Sequence, residues 1–357
     1  MTDLFSPATV GALSLKNRIA MAPMTRCRAT SDHVPTPLMA EFYAARADAG
    51  LLITEGTGPD AHGCGYARIP GIWSAEQVEG WRVVTDAVHA RGGHIALQLM
   101  HTGRVGHPLN MVEGAELLAP SAVKLDGEMW TDQSGPQPYP TPRAMTEAEV
   151  EATIEGFVQA AKNAIAAGFD AVELHGANGY LLEQFLCPTT NQRTDAWGGS
   201  PEGRRRFVVA TAERVAAAIG ADRVGIRLSP FGVFNGIAPW DGIAEEYLAL
   251  VGELPALAYV HLVDHSSMGA PPVPDAFKAA LRKAVRGTLV LSGGYDRGRA
   301  DADLAEGKGD VVAFGRPFIG NPDLVRRLAE GLPLATADHG TFYTPGPKGY
   351  TDYPTAD

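Results

Sequence analysis

Three side chains that can bind and protonate a small molecule follow one short apolar strand, predicted over 171–174. They are His175, Asn178 and Tyr180, and they fall within six positions of one another, separated by glycine and alanine. An imidazole or an amide can donate a hydrogen bond to a substrate oxygen, and a phenol can supply a proton. Each residue alone is equally compatible with core packing. The three together at the end of a strand are typical of the catalytic groups of barrel enzymes.

The surrounding sequence predicts the elements that would position these groups. Eight apolar segments are predicted as strands, and most precede a stretch of helical character: 18–24, 51–55, 94–100, 171–175, 224–228, 259–263, 289–292 and 311–314. Helix starts are predicted at Thr36-Pro37, Ser74 with Gln77, Thr146 with Glu149, Ser200-Pro201 and Asn321-Pro322. A strand followed by a helix eight times predicts a (β/α)8 barrel, and a doubly wound α/β sheet is the alternative.

The predicted strands carry aliphatic residues on one face and polar residues on the other. The polar set comprises Gln98, Glu173, His175, Arg227, His261 and Ser292. Because the outer face of a barrel strand packs against helices, the polar set is expected inside, near the C-terminal mouth. A buried charge without a partner is costly, so Arg227 and Glu173 require partners, either each other or a ligand.

Glycines after the last two strands predict a phosphate site. Gly293 and Gly294 follow the seventh strand, and Gly315 and Arg316 follow the eighth, ahead of the helix start at 321–322. Exposed backbone N–H groups and a helix N-terminus favour an anion, and barrels commonly hold phosphate at these loops. Two ordinary tight turns are the alternative.

The segment 103–145 interrupts the alternation of strands and helices. It is rich in proline and glycine and has no helical period. It is too long for an ordinary connection, which predicts either a functional flap or a small hairpin subdomain over the mouth.

Composition limits the classes of partner. The formal net charge is −11 and the pI is near 5.4, so phosphate backbones and anionic lipid would be repelled. The chain starts without a signal-peptide pattern, and no apolar run is long enough to span a bilayer. Cys27, Cys64 and Cys187 have no metal-like spacing, which predicts free thiols in a reducing cytoplasm. A monomer or a small homo-oligomer is expected.

Long motifs in a fixed order resemble the old yellow enzyme family of FMN-dependent ene-reductases, and in particular its N-ethylmaleimide reductase and nitrate-ester reductase branch. The motifs are LFSPATVGALSLKNRIAMAPMTR, LLITEGT, GYARIPGIWS, IALQLMHTGR, HGANGYLLEQFLCPTTNQRTDAWGGS, GIRLSP, SGGY, AFGRPFIGNPDL and GYTDYP. They extend over nearly the whole chain. The resemblance implies one FMN-binding barrel domain over 1–357, with 103–145 inserted after the third strand.

The resemblance also implies roles for individual residues. Those expected to hold FMN are Ala22, Pro23, Thr25, Gly56, Gln98, Arg227, Gly293, Gly294, Gly315 and Arg316. In particular, Thr25 would bond the carbonyl next to the reactive nitrogen of the flavin, and Gly56 would lie against the ring. Gln98 would bind the pyrimidine edge, and Arg227 would face the end where negative charge builds up on reduction.

The implied reaction is a hydride transfer from NADPH or NADH to FMN and then to an activated alkene or nitro compound. His175 and Asn178 would polarise the substrate oxygen, and Tyr180 would protonate the α-carbon. Tyr66, Met100, Phe234 and Tyr343 would form the wall of the pocket. At the position of Met100, many members of the family have a large aromatic residue. At the position of Asn178, some members have histidine. Cys27 is interpreted as structural rather than redox-active.

Three alternatives use no flavin. A sugar-phosphate lyase or aldolase would need an activated lysine or a metal, and the strand ends offer no lysine. A metallohydrolase would use His94, His101, His175, His261 and His265, without a clear ligating carboxylate at each strand end. A binding or storage barrel does not account for the polar mouth. The choice between NADPH and NADH and the physiological substrate stay open.

Overall fold

The computed structural model describes residues 2–356. Its strands are β1 (Ala8–Val10), β2 (Leu13–Leu15), β3 (Ile19–Met21), β4 (Leu51–Ile53), β5 (Ile95–Leu99), β6 (Leu118–Ala119), β7 (Glu128–Thr131), β8 (Gly135–Pro138), β9 (Arg143–Ala144), β10 (Ala171–Gly176), β11 (Val224–Leu228), β12 (Tyr259–Val263), β13 (Thr288–Ser292) and β14 (Val311–Phe314). Its α-helices are α1 (Pro37–Ala44), α2 (Ala75–His89), α3 (Glu147–Ala166), α4 (Leu181–Leu186), α5 (Pro201–Ile219), α6 (Ile243–Glu253), α7 (Asp275–Ala284), α8 (Arg297–Ala305), α9 (Arg316–Gly320) and α10 (Leu324–Glu330).

Eight parallel strands close into a barrel in the order β10-β11-β12-β13-β14-β3-β4-β5. Each of the eight predicted strand segments overlaps one of these strands, and β10 and β13 extend one residue beyond the prediction, so the predicted (β/α)8 barrel is confirmed. The register aligns polar inner residues on neighbouring strands, with Gln98 opposite Glu173 and Arg227 between His175 and His261. The barrel therefore collects at one level side chains that are far apart in the sequence.

The two faces of the barrel strands pack as their alternation predicted. Leu97, Leu174 and Ile226 belong to the large apolar cluster that includes the surrounding helices. The inner apolar cluster uses smaller strand residues such as Ala96 and Ala171, together with the β1-β2 hairpin. Backbone and side-chain contacts tie that hairpin to the N-terminal ends of β11 and β13. The opposite, C-terminal end is left for polar groups.

Four of the five predicted helix starts are confirmed. Ser74 and Thr146 each form a capping box with the residue three positions later, and the Ser200 hydroxyl caps α5. The helix α1 also begins at Pro37, directly after Thr36, as predicted. The Thr36 hydroxyl donates to the Arg28 carbonyl instead of capping α1. The fifth start differs, because the Asn321 amide donates to the carbonyls of Pro317 in α9 and of Ala335, and the helix predicted from 321–322 begins at Leu324.

The 103–145 segment contains an antiparallel hairpin of β7 and β8 and a short parallel pairing of β6 with β9. Met129 and Tyr139 from this segment share a buried cluster with Met100 and Tyr180. The segment therefore packs beside the C-terminal mouth. The treatment of 1–357 as a single domain stays a prediction. Between residues 2 and 356, no helix combines the length and the hydropathy that a membrane span requires.

Candidate active site

A cavity of about 730 Å³ opens at the C-terminal ends of the barrel strands. This volume lies within the range of small-molecule sites. The predicted residues that line it are Ala22, Pro23, Thr25, Gln98, Met100, His175, Asn178, Tyr180, Arg227, Phe234, Gly293, Gly294, Gly315, Arg316 and Tyr343. The predicted flavin and substrate sites missed Asp264, Ser267 and Met268 in the loop after β12, and also His265, which enters only the metallohydrolase alternative. Their position after a barrel strand was the available signal, because such loops build barrel sites.

Two predicted residues lie behind the lining. A Cβ atom on Gly56 would fall 2.4 Å from the Met100 sulfur, so Gly56 supports Met100 and Met100 reaches the cavity. The Tyr66 hydroxyl lies 3.0 Å from the Tyr180 hydroxyl, so Tyr66 contacts a lining residue. Both residues therefore act on the cavity through a neighbour.

Arg227 is a buried guanidinium that has no partner in the described part of the chain. It is 8% exposed, it donates no hydrogen bond to any residue of 2–356, and its Nε atom is buried and unpaired. Burial lowers the pKa of Arg227, although the Glu173 carboxylate opposes this shift. Since such a group is costly to leave unpaired, Arg227 fits an electron-rich ligand in the cavity.

Glu173, the other inner charge, is satisfied within the protein. Its Oε1 accepts a hydrogen bond from the Gln98 amide at 2.8 Å, and its Oε2 accepts one from His261 Nδ1 at 2.9 Å. Because the Gln98 Nε2 group is engaged, its Oε1 is left as an acceptor without a partner among the described residues. Of the two options that the sequence left open, Arg227 therefore requires a ligand and Glu173 does not.

The geometry of His175 determines its tautomer. Its Nδ1 accepts a hydrogen bond from the Ala177 backbone N–H at 3.3 Å. Burial, reinforced by the nearby Arg227 charge, lowers the pKa of His175 well below its usual value. The ring is therefore neutral at physiological pH and carries its proton on Nε2, which has no partner within residues 2–356. His175 offers a neutral N–H donor to the cavity.

Tyr180 lies beside this donor. Its ring is edge-on to His175, with centroids 4.9 Å apart. Burial raises the pKa of Tyr180 to about 12, an effect that the hydrogen bond from Tyr66 partly offsets. The phenol is consequently protonated at neutral pH. Together with Asn178, it completes a wall of hydrogen-bond donors above the polar interior of the barrel.

The glycine loops after β13 and β14 form the remaining part of the lining. Gly293 has a φ of 132°, and a Cβ there would fall 2.1 Å from the Asp264 carbonyl oxygen, so only glycine fits. The helix that begins at this loop is α9, which starts at Arg316 directly after Gly315, while the helix predicted from 321–322 starts at Leu324, beyond α9. Arg316 makes no ion pair with the described part of the chain, so its charge is available to an anion.

The histidines of the metallohydrolase alternative do not gather into one cluster. His261 pairs with Glu173, while His94 lies beside Asp170 and His101 beside Asp60. Across residues 2–356, no group of three or more His, Cys, Asp or Glu side chains is arranged to hold a metal ion.

Comparison with known proteins identifies the family. The sequence model of the NADH:flavin oxidoreductase / NADH oxidase family matches residues 3–335 of this chain. This chain belongs to that family. The resemblance to the old yellow enzyme family is thereby confirmed, and the chain is a flavin-dependent oxidoreductase that uses FMN and NAD(P)H.

Individual members of the family resemble this chain over almost its full length. It is 46% identical to the chanoclavine-I aldehyde reductase of Penicillium roqueforti, with 99% of this chain and 96% of that protein covered. It is 42% identical to a probable flavin mononucleotide-dependent alkene reductase of Leishmania infantum, with 98% and 97% covered. The solved old yellow enzyme homologue from Zymomonas mobilis superimposes with a TM-score of 0.95 at 42% identity, with 99% and 100% covered.

The cavity fits the FMN of this flavin oxidoreductase family. The unpaired Arg227 guanidinium, the free Gln98 Oε1 and the unbonded Thr25 hydroxyl suit the polar edge of a flavin ring. The backbone at Gly293 and the unpaired Arg316 suit a phosphate. Within residues 2–356, the Arg227 and Arg316 guanidiniums, the Gln98 Oε1 and the Thr25 hydroxyl make no hydrogen bond, so these groups are available to a bound cofactor.

Cys27 of this flavin oxidoreductase is expected to be unreactive in the native protein. Burial raises the pKa of its thiol to about 12, and the Glu55 carboxylate adds to the shift. We expect native Cys27 to react with iodoacetamide at pH 8 at least roughly tenfold more slowly than Cys27 in urea-unfolded protein, because the thiolate is the nucleophile. Mass spectrometry of the Cys27 peptide would measure both rates. Equal rates would contradict a structural role.

Proposed function

We propose that this protein reduces the C=C bond of activated alkenes with NAD(P)H. The substrates are α,β-unsaturated carbonyl compounds, maleimides and nitro-alkenes, with nitrate esters and nitroaromatics as further candidates. The main support for this proposal is that His175, Asn178 and Tyr180 line the same cavity. His175 is a neutral N–H donor there and lies beside the Tyr180 phenol. The alkene reductase activity in the name of the Leishmania relative supports it.

In this proposal FMN is held by two sets of residues. The ring would be contacted by Ala22, Pro23, Thr25, Gln98 and Arg227, and Gly56 would lie behind Met100 at the margin of the ring. The phosphate would be bound by Gly293, Gly294, Gly315 and Arg316. Glu173 would keep the Gln98 amide turned so that its oxygen accepts from the ring. The chemistry that bound FMN would supply there is hydride acceptance from NAD(P)H and hydride delivery to the β-carbon of the substrate, in a ping-pong cycle.

The donor pair binds and polarises the substrate oxygen. His175 Nε2–H and the Asn178 amide would both donate to the carbonyl or nitro oxygen, on which negative charge develops as hydride arrives at the β-carbon. The neutral state of His175 makes it a donor without proton loss. Removing one donor of this kind typically slows a reaction by about 10²–10³-fold.

Tyr180 supplies the proton in this proposal. Its O–H would protonate the α-carbon, which leaves a phenolate in a buried position. Tyr66 can then donate its own hydrogen bond to that phenolate across the 3.0 Å contact. Met100, Phe234 and Tyr343 would form the rest of the substrate wall.

The function can be tested on the purified protein. We expect flavin absorbance that NADPH or NADH bleaches under anaerobic conditions, and rapid recovery of that absorbance on addition of 2-cyclohexenone or N-ethylmaleimide. The reduced alkene should be recovered as product. If NAD(P)H bleached the flavin absorbance and no activated alkene restored it, alkene reduction would be contradicted. The membership in the flavin oxidoreductase family would be unaffected.

Tyr66→Phe provides a test of the phenol pair. We expect reoxidation of the reduced enzyme by 2-cyclohexenone to slow roughly 10–100-fold, the effect of losing one hydrogen bond to a charged group. Stopped-flow absorbance would measure the rate. Tyr139→Phe is the matched control, since Tyr139 lies in the same buried cluster and its hydroxyl makes no hydrogen bond to the described residues. Equal rates for the two variants would show that Tyr66 only packs.

A further inference from the structure

The turn between the donor pair and Tyr180 is organised around a buried carboxylate. Glu183 lies in the first turn of α4 and is 1% exposed. Its Oε2 accepts a hydrogen bond from the Gly179 backbone N–H at 2.6 Å. Its Oε1 accepts from the Ser229 hydroxyl at 2.9 Å and from the Tyr247 hydroxyl at 2.7 Å. Three donors around two oxygens are an arrangement for an ionised carboxylate.

Within the described chain, the Glu183 carboxylate has no cation paired with it. Among residues 2–356, no lysine, arginine or histidine forms an ion pair with Glu183, and burial raises its pKa to about 7 against the three hydrogen bonds. A buried carboxylate without a countercharge lowers stability compared with an apolar residue. Stability alone therefore gives no reason for its presence at this position.

The turn that it contacts has an uncommon backbone conformation. Asn178 and Gly179 both lie in the left-handed region, with φ of 60° and 76°. A Cβ on Gly179 would fall 2.7 Å from atoms of Phe234 and Asn235, so the second position requires glycine. Two successive residues of this kind persist only where surrounding contacts hold them.

Each backbone polar group of the turn has such a contact. The Asn178 N–H donates to the Ser229 hydroxyl at 2.9 Å, and the Asn178 carbonyl accepts from the Asn235 amide at 2.7 Å. The Gly179 N–H donates to Glu183, and its carbonyl accepts from the Gln184 amide at 2.7 Å. Glu183 holds two of these four contacts, one directly and one through Ser229.

We propose that Glu183 is a positioning residue for alkene reduction. By fixing the left-handed turn at Asn178 and Gly179, it holds the Asn178 amide and the Tyr180 phenol toward the same substrate. Ser229 follows β11, the strand that carries Arg227, so the carboxylate also ties the substrate wall to the strand of the proposed flavin contact. The inference rests on the proposed function and adds a residue that does not itself touch the substrate.

Glu183→Gln tests the proposal because it keeps the volume and replaces one acceptor oxygen with an N–H donor. The variant enzyme would be reduced with dithionite and mixed with either 2-cyclohexenone or dioxygen in a stopped-flow instrument. We expect reoxidation by the enone to slow roughly 10–100-fold. Reoxidation by dioxygen does not need the hydrogen-bond donors that bind the substrate oxygen. Its rate should therefore stay within about twofold of the wild-type rate.

A second readout needs neither turnover nor cofactor. Hydrogen exchange followed by mass spectrometry should show faster exchange in the peptide around 176–186 of Glu183→Gln, in the FMN-free as well as the FMN-bound protein. FMN content should match the wild type. Glu246→Gln is the control for loss of a buried carboxylate, because Glu246 lies on α6, pairs with Arg204 and makes no hydrogen bond or ion pair with the turn.

Ser229→Ala keeps the test decisive if Glu183→Gln does not fold. It removes only the hydroxyl that links Glu183 to the Asn178 N–H. The rate of reoxidation by the enone should therefore also fall, but by a smaller factor. An unchanged enone rate in a folded variant, or equal losses with enone and dioxygen, would overturn the positioning role. Failure of the wild-type enzyme to react with the enone, with a normal dioxygen reaction, would instead overturn the proposed function.

Discussion

Tyr180→Phe is expected to slow reoxidation of the reduced enzyme by an enone roughly 10²–10⁴-fold, the usual contribution of a general acid. The variant removes the O–H that faces the cavity and keeps the ring that packs edge-on against His175. Reduction of FMN by NADPH or NADH should stay within about twofold, since that step takes up no proton from a phenol. Stopped-flow absorbance separates the two half-reactions.

The comparison with Tyr139→Phe controls for loss of a buried hydroxyl near the mouth. If Tyr180→Phe turned over enones at the wild-type rate, another group would have to supply the proton. A loss of both half-reactions would point to a damaged cavity instead, and FMN content would distinguish that outcome.

The pH dependence of the enone reaction follows from the same residue. Because burial raises the pKa of Tyr180 to about 12, its acid form persists throughout the neutral and mildly alkaline range. We expect no loss of the enone half-reaction from Tyr180 ionisation between about pH 6 and 10, where a tyrosine of ordinary pKa would already be half ionised at the upper limit. Single-turnover rates across this range would measure it. A decline near pH 8 that disappears in Tyr180→Phe would contradict the environment described for Tyr180.

Arg227→Met is expected to weaken FMN binding roughly 10–100-fold, because it removes a charged hydrogen-bond donor from the ring contact. Methionine keeps much of the aliphatic part of the arginine side chain. The weaker FMN binding would therefore result from loss of the guanidinium charge. The reconstituted variant should also be reduced more slowly by NAD(P)H, since the fixed cation favours the charge that builds up on reduction. Titration of the apoprotein with FMN and stopped-flow reduction would give the two quantities.

The unpaired state of Arg227 adds a prediction for thermal stability. FMN should raise the Tm of the wild type more than that of Arg227→Met, because ligand stabilisation follows affinity. Arg205→Ala is a control, since Arg205 is a buried arginine paired with Glu253 away from the cavity. Equal FMN affinity in Arg227→Met and the wild type would remove Arg227 from the flavin contact.

Local patterns were sufficient to predict the barrel and much of the site. Alternation of apolar and polar residues along each strand assigns faces, and a strand followed by a capped helix assigns the order of elements. The alternation therefore predicts Arg227 and Gln98 inside the barrel, and the end of the predicted strand at 171–174 predicts His175, Asn178 and Tyr180 at the mouth. The family motifs then supplied the cofactor.

The partners of these residues depended on the tertiary structure. Glu173 pairs with Gln98 and His261, which leaves Arg227 for a ligand, and alternation alone allowed either outcome. The start of α9 at Arg316 was likewise not visible as a capping motif.

Strand faces and element order were determined by the sequence alone, because they arise from interactions between near neighbours in the chain. Other contacts form only when the barrel closes. They are the Tyr66–Tyr180 hydrogen bond, the packing of Gly56 against Met100, and the hydrogen bonds of Glu183 and Ser229 to the turn at Asn178. Most of these contacts join residues on different strands and loops. Their distances depend on strand register and side-chain packing, which no local pattern of residues specifies.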